Sequence, residues 1–261
     1  MITFTYAQLL AWLAAFILPA TRLLALMATA PFFNNTAISN MVKIGIAVLI
    51  TVIIAPGLPA LPTVSIASPA GLFILAQQVL IGAAIGFTMQ IVFAAIEAGA
   101  DMAGLQIGLG FAQLLTGSTD GSTDVLSRLM NMIAILAFLS IDGHLQILGV
   151  LMDSFYRIPI SDTPIAAAGL RTVVSWGETI FMSGLLLALP VIIALLIVNL
   201  SLGILNRAAP QIGVFQVGFP LTLSAGMLML QWMTPNLMPF FARLFEQGLD
   251  AVARVISAMA G

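Results

Sequence analysis

Cysteine is absent from the 261 residues, histidine occurs once, and charge is scarce: 8 Lys and Arg stand against 10 Asp and Glu. Each shortage removes a class of function. Without Cys there is no disulfide, no thiolate metal site and no Cys nucleophile. A lone His cannot build a usual zinc site. A net charge of -2, thinly spread, supplies no basic patch, so nucleic-acid binding driven by counterion release is excluded.

What the chain has in abundance is apolar sequence, with 61% hydrophobic residues and 7% charged ones. The 53 residues from Ile44 to Ile96 contain no Asp, Glu, Lys or Arg. Further uncharged runs cover Met1 to Thr21, Thr179 to Asn206 and Ala208 to Ala242. Each is long enough for a bilayer crossing at roughly 20 residues per span. The sequence therefore predicts an all-α, polytopic integral membrane protein of long, partly broken helices, with no room for a separate soluble domain. Ala28-Thr29-Ala30 resembles a signal-peptidase site, but no Lys or Arg precedes it, so the first segment is expected to be retained. The few Lys and Arg are scattered too evenly for positive-inside counting to set an orientation.

Polar and proline-rich connectors divide the chain. A first helix is expected near Ala7 to Ala30 and a second from Met41 to about Ala55, after which Pro56, Pro59, Pro62 and Pro69 predict an extended link. A third helix should run from about Gly71 to Leu105, with Gly82 and Gly86 in the small-xxx-small spacing that lets another helix approach closely. The stretch from Gln106 to Asp124 begins glycine-rich and apolar and ends in a tandem Gly-Ser-Thr-Asp. Helix resumes near Val125, with a break expected at Asp142-Gly143-His144, and continues to about Tyr156. A short helix after Ile165 precedes apolar helices over Glu178 to Leu205 and Val214 to Trp232. In Phe240 to Ala260, Arg243, Glu246, Asp250, Arg254 and Ser257 recur at spacings of 3 and 4, so they share one stripe of an amphipathic helix. That helix suits a membrane interface or a docking role.

Ionisable groups at membrane depth each need a partner or a wet surface. Glu97 and Asp101, at i and i+4, suit either a proton or cation site or a polar contact to a neighbouring subunit or aqueous lumen. Asp142, Gly143 and His144 read as a helix break or cap, since no Gly-x-Ser-x-Gly elbow supplies a nucleophile. The Gly-x-Gly-Asp motif of intramembrane aspartyl proteases fails at Phe111, and Asp120 and Asp124 lack calcium-loop spacing. Gly104, Gly108 and Gly110 make regular helix costly around Ile107, Leu109, Phe111, Leu114 and Leu115, so the segment reads as an apolar loop, suited to plug a pore or simply to close a hairpin. A secondary transporter with helices interrupted at Pro190, Pro210 and Pro220 is a second reading, but it calls for an internal repeat that is not visible.

Three stretches carry a more specific resemblance. The strongest is Leu202 to Thr222, with Gly203, Asn206-Arg207, Ala209-Pro210-Gln211, Phe215 and Gly218-Phe219-Pro220-Leu221-Thr222. Gly177-Glu178 with the run through Leu187-Ala188-Leu189-Pro190 is the second. The third joins Gln106, Gly108-Leu109 and Phe111-Ala112 to Gly143-His144-Leu145 and Asp153-Ser154-Phe155. On these motifs the chain resembles the FliR/SctT family of type III secretion export-gate proteins over nearly its whole length. It departs from the family's pattern at Gly213, often Asn there, and at Thr116-Gly117, where an Asp-Pro step is usual. Gly218-Phe219-Pro220 looks more like the flagellar than the virulence branch.

The resemblance implies a channel subunit, not an enzyme, with no cofactor. It implies assembly with FliP and FliQ into a helical, cone-shaped gate of the bacterial inner membrane at the flagellar basal body, part of it raised toward the periplasm. FlhB and FlhA would be neighbours, unfolded flagellar proteins the cargo, and membrane lipid the surroundings. Residues 1–175 would form a FliP-like helical part containing a plug near 106–119, and residues 176–261 a FliQ-like hairpin ending in the amphipathic helix. Gln106, Ile107, Gly108, Leu109, Gly110, Phe111, Leu114 and Leu115 are then expected to gate the channel. Glu97, Asp101, Glu178, Arg207 and Gln211 are expected to make intersubunit or interhelix polar contacts, or, for Glu178 and Arg207, to cap helix ends and snorkel. Gly82, Gly86, Gly143, His144, Pro210 and Pro220 are expected to be structural.

Overall fold

The computed structural model describes residues 6–33, 39–59, 64, 68–109, 125–208 and 214–261, with side chains from 13 onward in the first segment and from 218 onward in the last. Among the described residues the α-helices are, in chain order, α1 (Tyr6–Thr29), α2 (Asn40–Ile54), α3 (Pro69–Ile107), α4 (Val125–Ser140), α5 (Gly143–Arg157), α6 (Ala167–Trp176), α7 (Glu178–Ala208) and α8 (Val214–Ala260). No strand occurs among the described residues. Among the described residues three helical stretches are long and apolar enough to cross a membrane, Asn40–Gly57, Pro69–Ile107 and Ala167–Ala208, and α4 with α5 would make a fourth as one broken span. The chain is an all-α polytopic membrane protein.

Local chemistry explains several helix ends. Ser68 opens α3: its Oγ accepts the Gly71 N–H at 3.0 Å, and Pro69 fills the first helical position, where a missing N–H costs nothing. Pro69 thus starts the helix and does not prolong the extended link. After α2 a single 3-10 turn, Ala55–Gly57, carries Pro56, and Leu58 is extended. Between α4 and α5 the left-handed residue is Asp142 (φ 56), not Gly143, and its side chain makes no cap bond; its carbonyl accepts Leu145 N–H and Gln146 N–H instead. The helix break at this tripeptide is present, while side-chain capping is not.

Proline placement departs from expectation beyond Trp232. Pro190 lies inside α7, and Pro220, Pro235 and Pro239 lie inside the 47-residue α8, which joins the two helical pieces predicted on either side of Trp232. An interior proline removes one backbone bond and costs about 3 kcal/mol. Burial offsets this: Phe241, Leu244 and Phe245, just beyond Pro239, are all but inaccessible.

The chain divides into two compact units, one of residues 1–91, 142–177 and 245–261, the other of residues 92–141 and 178–244. In the first, Leu23, Leu26 and Met27 of α1, Ile81, Ile85 and Met89 of α3, and Ile147 and Leu151 of α5 are buried, joined by Val252, Val255 and Ile256 of α8. Gly82 and Gly86 set the helix spacing. A Cβ on Gly82 would run into the Arg22 carbonyl, and one on Gly86 would meet Thr29 Oγ1 and lie 2.8 Å from the Leu26 carbonyl, so the helix that approaches there is α1. The amphipathic end of α8 turns Val252, Val255, Ile256 and Met259 inward and leaves Glu246, Asp250, Arg254 and Ser257 exposed. It docks within its own unit: the Ala166 N–H donates to the Met259 carbonyl (3.0 Å), Met259 covers Gly169, and Arg254 lies 5.7 Å from the Trp176 ring.

In the second unit, Phe93 and Ile96 of α3 pack with Ala134 and Phe138 of α4, the two rings edge to face at 5.7 Å. A further glycine crossing joins α3 to α7, where a Cβ on Gly99 would lie 2.7 Å from the Gly184 carbonyl.

Candidate functional site

The C-terminal end of α3 is where the expected gating segment begins. Gln106 and Ile107 are its last helical residues, not loop. Ile107 is fully buried, its Cγ1 2.5 Å from where a Cβ on Gly226 of α8 would stand, so this side chain packs α3 against α8. The favourable burial of one Ile, about 1.5–3 kcal/mol, outweighs the helix penalty of Gly104. Gly108 then turns the chain with φ 94, its N–H bonded to the Gly104 carbonyl at 3.1 Å in the manner of a left-handed C-cap. The Phe219 ring stands 3.6 Å from the place of a Gly108 Cβ. Two of the family-like motifs, Gly108-Leu109 and Gly218-Phe219-Pro220, therefore meet in one unit. Gly110, Phe111, Leu114 and Leu115 lie outside the described residues, as do Pro210 and Gln211.

One member of the acidic pair on α3 has a partner within its unit. Asp101 accepts a hydrogen bond from Ser127 Oγ of α4, and Ser127 is fully buried, so this carboxylate has an interhelix partner within the chain. Glu97 is half-buried one turn earlier. No group of three or more His, Asp or Glu able to hold a metal ion exists among the described residues.

Glu178 and Arg207 occupy the first and last turns of the same helix, α7, both exposed. At 1.5 Å per residue they stand about 44 Å apart, so they cannot pair within one chain. An acid at the N-terminus and a base at the C-terminus complement the helix dipole. His144 follows Gly143 in the first turn of α5, and its Nδ1 is buried without a hydrogen-bond partner among the described residues.

The most elaborate polar site escaped the sequence reading. Arg22 of α1 is fully buried in the first unit. Its Nε donates to Gln78 Oε1 (2.8 Å), one terminal nitrogen to Ser154 Oγ (3.0 Å) and the other to the Ile158 carbonyl (3.0 Å), while the guanidinium lies 4.2 Å over the Phe155 ring. One side chain thereby ties α1 to α3 and to α5. No carboxylate balances it among the described residues. The available signal was a lone Arg in an apolar helix facing an apolar chain with few polar residues, of which Gln78 and Ser154 are two.

Much apolar surface is uncovered. Met41, Leu49 and Ile53 of α2 and Phe181, Ile197, Leu200 and Ile204 of α7 are more than half exposed. Such continuous faces on helices of spanning length require lipid or other protein.

Long apolar helices, glycine-set crossings and a buried, hydrogen-bonded Arg22 define a polytopic helical membrane protein with no assembled catalytic constellation among the described residues. The chain belongs to the bacterial export proteins, family 1, whose sequence profile matches residues 13–248. It is 45% identical to the flagellar biosynthetic protein FliR of Pectobacterium carotovorum and 41% identical to that of Escherichia coli K12, in both cases over 99% of each chain. The FliR protein of Bacillus subtilis is 25% identical over 83% of this chain and 84% of its own. This is a membrane protein of the FliR export family of flagellar biosynthesis.

Proposed function

We propose that this chain is a structural subunit of the flagellar type III export gate, forming with FliP and FliQ the inner-membrane pore for unfolded flagellar proteins, with FlhB and FlhA as neighbours. End-to-end similarity to FliR proteins carries the reading. The uncovered apolar faces of α2 and α7 support it, because they offer helical partners a large surface. The relatives are named as biosynthetic and export proteins, which favours a channel role over an enzyme's. On this reading part of the apolar surface is covered by subunits, some of them raised toward the periplasm at the basal body, and Glu178 and Arg207 each meet a neighbouring chain.

Within the gate, the segment after Gly108 closes the lumen. The left-handed turn at Gly108 marks where α3 releases the chain, and Phe111, Leu114 and Leu115 supply an apolar constriction that excludes ions by dewetting. Gln106 and Ile107, the last helical residues of α3, anchor the plug at its base. Deleting residues 109–117 is expected to raise ion conductance of the membrane while the subunit still assembles; unchanged conductance with intact assembly would refute the plug assignment.

A further inference from the structure

We propose that a groove between α7 and α8 in the second unit holds an acyl chain of an anionic phospholipid, with Arg243 binding the phosphate. The groove encloses about 420 Å³, within the range of about 300–1,000 Å³ usual for small-ligand sites. Its walls are mainly apolar, with Leu186 and Pro190 from α7 and Met229, Trp232 and Phe240 from α8, and Arg243 stands at one end. From Met229 to Arg243 the groove follows α8 for about 21 Å at 1.5 Å per residue. That exceeds the depth of one leaflet's hydrocarbon, about 15 Å, so a lipid tail fits lengthwise.

Charge complementarity selects the occupant. Arg243 is the only charged residue lining the groove among the described residues, and it is exposed. Its Nε is engaged by the Pro239 carbonyl at 3.3 Å, which orients the guanidinium and leaves both terminal nitrogens for a bidentate phosphate contact. Glu246 lies three residues along the same stripe, yet Arg243 makes no ion pair among the described residues. Trp232, 77% exposed, lines the groove about 16 Å along α8 from Arg243 at 1.5 Å per residue, so it stands at the depth of the acyl chain. A second groove of about 590 Å³ between α4 and α8, lined by Leu129, Ile133 and Met227, has no charged residue and so no means of selecting a headgroup. The lipid site depends on membrane residence and not on the export-gate reading.

The test uses the full chain reconstituted in liposomes, with Trp12→Phe and Trp176→Phe leaving Trp232 as the fluorophore. Phosphatidylglycerol brominated on its acyl chains should quench Trp232 at a lower mole fraction than brominated phosphatidylcholine, by roughly fivefold for one phosphate-bound Arg. Arg243→Gln should abolish that headgroup preference while leaving quenching by phosphatidylcholine intact. Equal quenching by both lipids before the Arg243 substitution, or none by either because protein fills the groove, would overturn the proposal. Native mass spectrometry of the unmodified chain gives an independent reading: retained phosphatidylglycerol that Arg243→Gln releases supports the site, and retention unaffected by that change contradicts it.

Discussion

Arg22→Met probes the polar centre of the first unit most directly. Methionine keeps the length of the side chain and its contact with Phe155, but it leaves Gln78 Oε1 and the Ile158 carbonyl without their donor. Ser154 is less affected, since its hydroxyl still donates to the Leu151 carbonyl at 2.6 Å. Each stranded buried acceptor costs about 1–3 kcal/mol, so two cost about 2–6 kcal/mol. Against this stands relief from holding an unbalanced cation out of water, a penalty of several kcal/mol that the three hydrogen bonds and the aromatic face repay in part. The net expectation is a loss of about 2–4 kcal/mol. The assay is thermal unfolding of the detergent-solubilised protein followed by tryptophan fluorescence, with limited proteolysis to locate the loosened region. Adding Gln78→Leu to Arg22→Met should recover about 1–2 kcal/mol, because it removes a stranded acceptor, whereas Gln78→Leu alone should destabilise. Wild-type melting of Arg22→Met, or a double variant as unstable as the sum of the two singles, would refute the claim that this network holds α1 to α3 and α5.

Two glycine substitutions separate helix propensity from helix contact. Gly45→Ala, on an exposed turn of α2 with open space where its Cβ would stand, should stabilise by up to about 1 kcal/mol. Gly82→Ala should destabilise by about 1–3 kcal/mol, since its Cβ would meet the Arg22 backbone and lie 2.9 Å from Ala25 Cβ; the melting temperatures of the two variants should move in opposite directions. Gly108→Ala should cost about 1–2 kcal/mol at φ 94, seen as lower melting and earlier proteolysis after α3, and an unchanged profile would contradict the left-handed turn.

The helical class was legible because 53 uncharged residues leave no alternative, and the polar stripe from Arg243 to Ser257 was legible because its spacing is helical. The spacing of Gly82 and Gly86 can be read from the chain, but the helix that occupies it cannot: α1 lies about sixty residues away in sequence, and only packing brings it there. Helix ends were harder. Proline and glycine bias local backbone by about 1–3 kcal/mol, and burial of neighbours such as Ile107, Phe241 and Phe245 overrides that bias. This is why α8 runs through Pro235 and Pro239 and why α3 retains Gln106 and Ile107. Arg22 was missed for another reason: its partners are two neutral side chains and one carbonyl, so no opposite charge in the sequence pointed to it. The gating segment beyond Leu109, residues 110–119, lies outside the described residues, and its role rests on the apolar and glycine pattern and on family resemblance.

The central claim is that this chain works as a subunit of an export gate. Affinity purification of the tagged protein from its native membrane in mild detergent, with mass spectrometry and particle sizing, tests it. The account predicts one large particle containing FliP and FliQ. A monodisperse chain recovered without them would contradict it and favour a self-sufficient transporter.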